Sequence, residues 1–349
     1  DIARVPIDPL EGSGMRPYLR HFFSFVFRAR ARVRRLIRDG YRPDVIWVSS
    51  PPLFVGLVGT AAARWSKAPL VLDVRDVWPD TAVAAGQLSE TGKAYRLGRV
   101  LERWLYRRAD AFTCVAVPMA DYLRREVAGA RSTPPIEVVY NGAGFPVPSP
   151  AHSEEVRRTV LYAGNLGRLQ GIDALVEAWS HLPELHAAGW RLELIGAGVM
   201  ENDLRSSVDR LHLTDSVRFR GVLAKERTVE EMRRAGVLFL NLLARPVFDL
   251  TIPSKLFDYL ATGRPIVGAI SGEGRAILSD LSGNRVVRPN NAGEIAEALR
   301  SIAASPDWGE ALGDNQTVVR DRYSRDVNTD RLLSLLNRVA DAGRRRESV

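Results

Sequence analysis

The sequence predicts an α/β chain of two parallel-sheet, Rossmann-like domains in tandem. Three observations carry that expectation. Short apolar runs alternate with helix-period segments along all 349 residues. Those runs read as strands covered on both faces. A Gly/Pro-rich stretch at 141–150 (Asn-Gly-Ala-Gly-Phe-Pro-Val-Pro-Ser-Pro) divides the chain and reads as an exposed linker. The expected domains are 1–145 and 146–320, followed by a C-terminal segment, 321–349.

The strand-like runs of the first domain are 45–48, 70–74, 111–117 and 136–140. Those of the second are 159–163, 191–195, 217–219, 237–243, 265–270 and 285–287. Between them, Leu97, Leu101, Trp104 and Leu105 share one helical face, and so do Leu175, Ala178 and Trp179. Leu332, Leu335, Leu336 and Val339 mark a last helix whose apolar side must pack on something. Residues 45–63 carry no charge and approach the length of a membrane span. Pro51-Pro52 interrupts them, so they read as a strand, a loop and a helix beginning near Leu53.

Composition sets broad limits. Hydrophobic residues at 46% and charged residues at 26% are those of a globular chain. A single cysteine, Cys114, excludes an internal disulfide framework and a cysteine metal cluster, and the five scattered histidines show no ligand spacing. A reducing, cytoplasmic setting fits. The chain starts at Asp1 and shows no signal-peptide pattern. The net charge is +8, and residues 16–40 hold eight arginines against Asp39 alone. A basic face this local implies an anionic partner at one place. Phe22, Val26, Ala29, Val33 and Leu36 share one side of that helix, and Arg28, Arg32 and Arg35 another. Arg96, Arg99, Arg103 and Arg107 suggest a second basic stripe. An ordinary packed helix with a solvated arginine face has the same pattern. No nucleic-acid-binding motif is present.

Three segments carry candidate chemistry, each just past a strand end, where open α/β sheets bind ligands. The first is 251–265, Thr-Ile-Pro-Ser-Lys-Leu-Phe-Asp-Tyr-Leu-Ala-Thr-Gly-Arg-Pro. Pro253 and Ser254 look like a helix start, with Lys255 in the first turn, Asp258 one turn on and Gly263 at the end. A lysine at a helix N-terminus opposes the dipole unless an anion sits there too. Asp258 can accept hydrogen bonds from two vicinal hydroxyls, as a ribose offers. A surface helix with a solvated Lys and Asp reads the same way. The second is the turn 164–171, with Gly164, Gly167 and Gly171 bringing backbone amides toward phosphate and Arg168 adding a cation. Many such turns are merely tight, and the turn Gly196-Ala-Gly198 is weaker still. The third is 73–80, where Asp73, Asp76, Asp80 and Arg75 crowd one strand end beside Trp78. Asp76 or Asp80 can meet a ligand there; a capped turn with an Asp–Arg pair is the plainer alternative.

Four motifs in order, 49–56, 73–79, 162–171 and 253–265, resemble the family 4 glycosyltransferases of the GT-B fold. The branch most resembled builds bacterial surface polysaccharides, with N-acetylfucosamine and colanic-acid-type transferases. The resemblance implies two domains facing across a cleft and a retaining, metal-independent transfer. It implies a nucleotide-sugar donor, usually UDP-linked, and no cofactor. Lys255, Arg168 and the glycine turn would stabilise the departing diphosphate. Gly164, Asn165, Gly167, Gln170, Gly171, Ser254, Asp258 and Asp249 would bind the donor, Asp258 at the ribose. Asp76 would lie near the acceptor and the reacting carbon, and the C-terminal helix would cross back to the first domain. The implied acceptor is a polyprenyl-diphosphate-linked glycan, reached from the inner face of the plasma membrane through the basic helix at 16–38, with no nucleic acid involved.

The chain departs from that family in three places. Of the usual glutamate pair separated by seven residues, the second place holds Asp258 and the first holds Leu250, with Asp249 as a stand-in. The usual Arg and Lys of the phosphate turn fall on Asn165 and Gln170. The family's opening strand and glycine loop precede Arg4-Val-Pro in the pattern and are expected to be missing here, as in a truncated chain. An epimerase on the same fold, or a degenerate nucleotide-sugar-binding subunit, is the alternative function.

Overall fold

The computed structural model describes residues 2–10, 15–129, 133–147 and 155–347. Pro148, Ser149 and Pro150 of the expected linker, and the side chain of Arg16, lie outside the described residues. The chain forms two compact units, Asp1–Tyr140 with Thr329–Val349, and Asn141–Asn328.

In the first unit β1 (Ile46–Ser50), β2 (Leu70–Val74), β3 (Ala111–Cys114) and β4 (Ile136–Val138) form a parallel sheet in sequential order. Every residue of β2 and β3 is buried, as a sheet covered on both faces requires. One cover is the helix Arg325–Glu347, which lays Leu335 and Val339 against Val71 and Ala111. After Pro51-Pro52 the chain makes a 3-10 turn, Leu53–Val55, and the helix Gly56–Ser66. The run expected as a strand at 111–117 splits. The strand ends at Cys114, and Pro118, in the first turn of the helix Val117–Glu126, presets the helical φ. Among the described residues no strand precedes β1, and none of their helices is long and apolar enough to cross a membrane.

The second basic stripe is solvated in part: Arg96, Arg103 and Arg107 are exposed, and Arg99 is not. Arg99 is enclosed within the helix Lys93–Tyr106 by its own partners: it bonds the buried Glu102, Tyr122 (2.6 Å) and Glu126 (2.9 Å). Arg103 pairs with Glu126 at 3.4 Å. In the helix Met15–Arg38, Val26 and Ala29 are buried while Arg28 pairs with Asp8 at 2.7 Å.

The second unit holds β5 (Arg157–Ala163), β6 (Arg191–Ile195), β7 (Val217–Gly221), β8 (Ala235–Asn241), β9 (Ile266–Ala269) and β10 (Arg285–Val287). All pair in parallel, in the order β10-β9-β8-β5-β6-β7. Numbered from β5, that is the doubly wound order 3-2-1-4-5-6, and the direction of winding reverses between β5 and β8. The carboxyl ends of those two strands are therefore where a ligand is expected. Their core is rich in aromatic residues, with Tyr162, Trp179 and Phe239 fully buried.

The first part of the Gly/Pro stretch is not an exposed linker. Gly142 and Ala143 are buried, and Ala143 N donates to Tyr323 O at 3.1 Å. Gly142 has φ +66°, and a β-carbon there would meet the same carbonyl at 2.9 Å. The composition is that of a linker because close backbone approach, as much as solvent exposure, demands glycine.

The turn Gly196-Ala-Gly198 has a role its sequence did not suggest. A β-carbon on Gly196 (φ +127°) would lie 1.9 Å from Gly164 O, and one on Gly198 would lie 2.4 Å from the Leu166 backbone. The loops after β5 and β6 thus stack backbone to backbone, joined by Gly164 N to Ile195 O (2.9 Å) and Leu166 N to Ala197 O (2.9 Å). Gly196→Ala should destabilise the protein by more than about 3 kcal/mol, since backbone cannot yield to the added methyl. Gly189→Ala, also at positive φ but with nothing within 4 Å, should cost only about 1 kcal/mol. Urea-unfolding midpoints of the two variants check this; equal shifts would contradict it.

Candidate active site

The reversal point of the second sheet brings together the turn after β5 and the helix Lys255–Thr262. Lys255 Nζ donates to Tyr162 Oη at 2.6 Å and lies 4.1 Å from that ring's centroid. A β-carbon on Gly164 (φ +149°) would stand 2.5 Å from the same Nζ. Gly164 is glycine because the lysine tip occupies the space a side chain would take. Among the described residues no carboxylate pairs with Lys255, and burial alone pushes its pKa down to about 8. A partly buried cation with only a phenol beside it is arranged for an anion that comes from outside the chain.

A cavity of about 240 Å³ opens at this point. Ala163, Gly164, Lys255 and Asp258 line one side, and Phe145, Val229 and Met232 form an apolar wall. Tyr259 closes the floor, its hydroxyl accepting from Ala163 N at 2.9 Å. Asp258 accepts Gly144 N at 2.6 Å, and Lys225 Nζ donates to Gly144 O at 2.7 Å. Burial raises the Asp258 pKa, opposed by that amide and by the positive charges of Lys225 and Arg325. One oxygen of the carboxylate is thus engaged by the chain's own backbone.

The rest of the turn is built differently from the sequence-based expectation. The amides of Gly164 and Leu166 do not face a ligand, because they pair with Ile195 and Ala197. Gly167 is glycine to admit its neighbours, Gln170 Oε1 and Asn165 Nδ2, which would lie 2.6 and 2.8 Å from a β-carbon there. Gly171, at φ +52°, is equally confined by Asn241 Nδ2 and Asn290 Oδ1, at 2.2 and 2.4 Å. Arg168 is exposed in the 3-10 turn Arg168–Gln170 and makes no hydrogen bond or ion pair among the described residues. Gly167, Asn165, Gln170, Gly171, Arg168 and Ser254 stand outside the cavity wall. Asp249 does too: it is exposed in the turn Pro246–Leu250, where its carboxylate accepts from Ser271 Oγ and its backbone abuts Gly272.

Sequence reasoning missed the residues that hold this turn in place. Asn241, buried at the end of β8, donates to Gln170 O (2.9 Å), Gly171 O (3.0 Å) and Asn290 Oδ1 (2.8 Å). Asn290 takes a left-handed φ of +57° to meet it. A polar residue ending an apolar run was the only signal available for Asn241. Tyr162 lay hidden inside a strand-like run.

In the first unit the three acids of 73–80 separate into distinct roles. Asp73 is buried and bonds Ser49 Oγ and Thr113 Oγ1, each at 2.8 Å, tying β1, β2 and β3 together. Asp80 takes Tyr95 Oη at 2.8 Å and faces Arg99 at 3.5 Å. Asp76 alone has no hydrogen-bond partner among the described residues, and burial, partly offset by Arg75, raises its pKa to about 6.

Residues 2–142 match the family Glycosyl transferase 4-like domain, and residues 157–305 the family Glycosyl transferases group 1. The chain belongs to the glycosyltransferases of the GT-B fold. It is 26% identical over 324 residues to the probable glycosyltransferase WbjE of Pseudomonas aeruginosa, covering 88% of this chain and 76% of that one. The D-inositol 3-phosphate glycosyltransferase of Streptomyces coelicolor is 27% identical over 44% of this chain and 34% of its own length. Two solved structures share the fold. Anabaena HepE, in complex with UDP and glucose, has a TM-score of 0.69 at 17% identity, covering 88% of this chain and 81% of its own. Sucrose-phosphate synthase of Thermosynechococcus elongatus has 0.72 at 19%, covering 97% and 83%. The glycosyltransferase expectation therefore holds at the level of family and fold.

The Lys255 environment sets a stability test in the ligand-free glycosyltransferase. Its amine holds a proton less tightly folded than unfolded. The destabilising contribution of Lys255 is therefore fully present below about pH 8 and is relieved as pH climbs toward 10.5, where the unfolded amine also loses its proton. Lys255→Met should stabilise the protein by about 1–2 kcal/mol at pH 7, after allowance for partial exposure and the lost phenol contact. The gap should close as pH rises through that window. Thermal melts at both pH values check this, and a lower melting point for the variant at pH 7 would make Lys255 a structural residue.

Proposed function

We propose that this glycosyltransferase moves a sugar from a UDP-sugar to a polyprenyl-diphosphate-linked glycan, with retention of configuration and without a metal. The observation that carries the reading is Lys255, uncompensated by any acid among the described residues and aimed into a glycine gap at the reversal point of the sheet. Negative charge grows on the diphosphate as the sugar–oxygen bond breaks. A preoriented cation in a partly dehydrated site stabilises that charge by several kcal/mol, about 3 for one donor. Lys225, in the cavity wall, and Arg325, acting on Asp258 from beyond it, add positive charge, and we assign them with Lys255 the part a divalent ion would otherwise take. HepE is described with UDP, with UDP-glucose, and with UDP and glucose, which supports a uridine diphosphate sugar for this chain.

The finer assignments rest on narrower support. Asp258 is assigned to the ribose on its place in the cavity, sharing its carboxylate with Gly144. Gly164 supplies clearance, while Asn165, Arg168, Gln170 and Ser254 are assigned to the donor on the family motif alone. Asp76 is assigned to the acceptor side, supported by its lack of a partner. Retention, the N-acetylated deoxyhexose and the surface-polysaccharide branch rest on the four motifs. The lipid-borne acceptor, and with it peripheral residence on the inner membrane face, rests on those motifs and the basic helix.

UDP affinity should fall as pH rises through about 8, because only the cationic Lys255 attracts the diphosphate, whose own last ionisation near 6 is complete by then. The fall should approach tenfold per pH unit above that value. Lys255→Met should flatten the dependence and lower turnover about 100-fold. Calorimetric titration with UDP and single-turnover assays with UDP-sugars check both. A pH-independent affinity, or an epimerised sugar formed without acceptor, would overturn the reading.

A further inference from the structure

Away from the donor cavity, three helices of the first unit enclose a second cleft of about 350 Å³. The helix Met15–Arg38 contributes Arg30, the helix Gly56–Ser66 contributes Arg64 and Trp65, and the helix Lys93–Tyr106 contributes Trp104, with Arg108 just beyond its end. The guanidiniums of Arg30 and Arg34 lie over Trp65, 5.7 and 5.8 Å from its centroid, and that of Arg108 lies 3.7 Å over Trp104. Among the described residues none of Arg30, Arg34, Arg64 or Arg108 pairs with a carboxylate, and all four are exposed. Arg99, by contrast, is answered by Glu102 and Glu126, whereas Arg32, Arg35 and Arg107 also lack a carboxylate partner among the described residues but do not gather around an aromatic cleft. Positive charge has been gathered here and left unbalanced.

The same face is apolar at its other end. Leu97 and Val100 are 70% and 65% exposed and share a helical face with Trp104, at spacings of three and four residues. Phe27, 68% exposed, precedes Arg30 and Arg34 on one face of its own helix. Ring contacts from Phe27 through Phe23 and Phe54 to Trp78, which abuts Gly98, connect these two apolar patches. Exposed aliphatic and aromatic side chains thus grade into a band of tryptophan and arginine, the order of polarity across a bilayer's interface.

We propose that this face seats the protein on an anionic phospholipid bilayer. Leu97, Val100 and Phe27 enter the acyl boundary, and the Trp65–Trp104 cleft with its four arginines receives lipid phosphate groups. It deepens the reading of a lipid-borne acceptor but involves no donor residue, so the two fail separately. A nucleic acid is the less favoured occupant: base stacking needs open indole faces, and arginines cover both of these.

Sedimentation of the full chain with phosphatidylcholine vesicles, with and without phosphatidylglycerol, tests the proposal. Binding should require phosphatidylglycerol and weaken with salt. Arg34→Gln with Arg64→Gln should reduce partitioning about thirtyfold, each arginine contributing about fivefold. Leu97→Ser with Val100→Ser should reduce it as well. Arg32→Gln with Arg35→Gln, on another face of the first helix, should change it by less than about threefold. UDP binding should survive in every variant, which also reports folding. Equal losses from the control pair, binding without phosphatidylglycerol, complete displacement by inorganic pyrophosphate, or tight binding to single-stranded oligonucleotide in place of vesicles would each overturn it.

Discussion

A lysine drawn out of water, beside a phenol and a glycine, with no acid among the described residues to answer it, constrains the whole second unit. Its Nζ rests on Tyr162 and fills the volume over Gly164, so the strand end, the turn and the helix start must keep their spacing to within a side-chain contact. Such a group weakens the ligand-free fold. Its retention makes physical sense where an incoming anion restores the missing charge, and the GT-B glycosyltransferase family provides one in the donor's leaving group.

The surrounding architecture is what keeps that cation from relaxing. Stacking of the loops after β5 and β6 leaves no room for a β-carbon at Gly196 or Gly198, and their amides hold each other. From the other side, Asn241 and the left-handed Asn290 clamp Gly171. These contacts consume most of the backbone polarity that the glycine pattern seemed to offer a phosphate. The turn therefore acts as a rigid seat, and positive charge reaches the cavity through Lys255, with Lys225 nearby.

The fold was legible because it is written in period and apolarity. Among the described residues, all ten strands overlap the apolar runs, and Pro51-Pro52 and Gly263 mark element ends as steric rules require. The boundary errors were local: Pro118 belongs to a helix that a continuous apolar run disguised, and Gly142 serves close packing rather than exposure. The site was legible in part. Lys255 stood out because a cation at a helix start is locally unfavourable, and Asp258 because it lies one turn further along the same helix. Asn241, Tyr162 and the Gly144 amide did not, since their importance arises from contacts across tens of residues that no local pattern records. Arg99 of the second basic stripe was misjudged for the same reason, because the acids that neutralise it include Glu126 on another helix.

The most direct test of the account is an experimental structure of the full chain with UDP. The account predicts a diphosphate oxygen within hydrogen-bond distance of Lys255 Nζ, above Gly164, with the ribose toward Asp258. A nucleotide seated elsewhere, or a Lys255 still bound to the Tyr162 hydroxyl and out of reach of the phosphates, would contradict it.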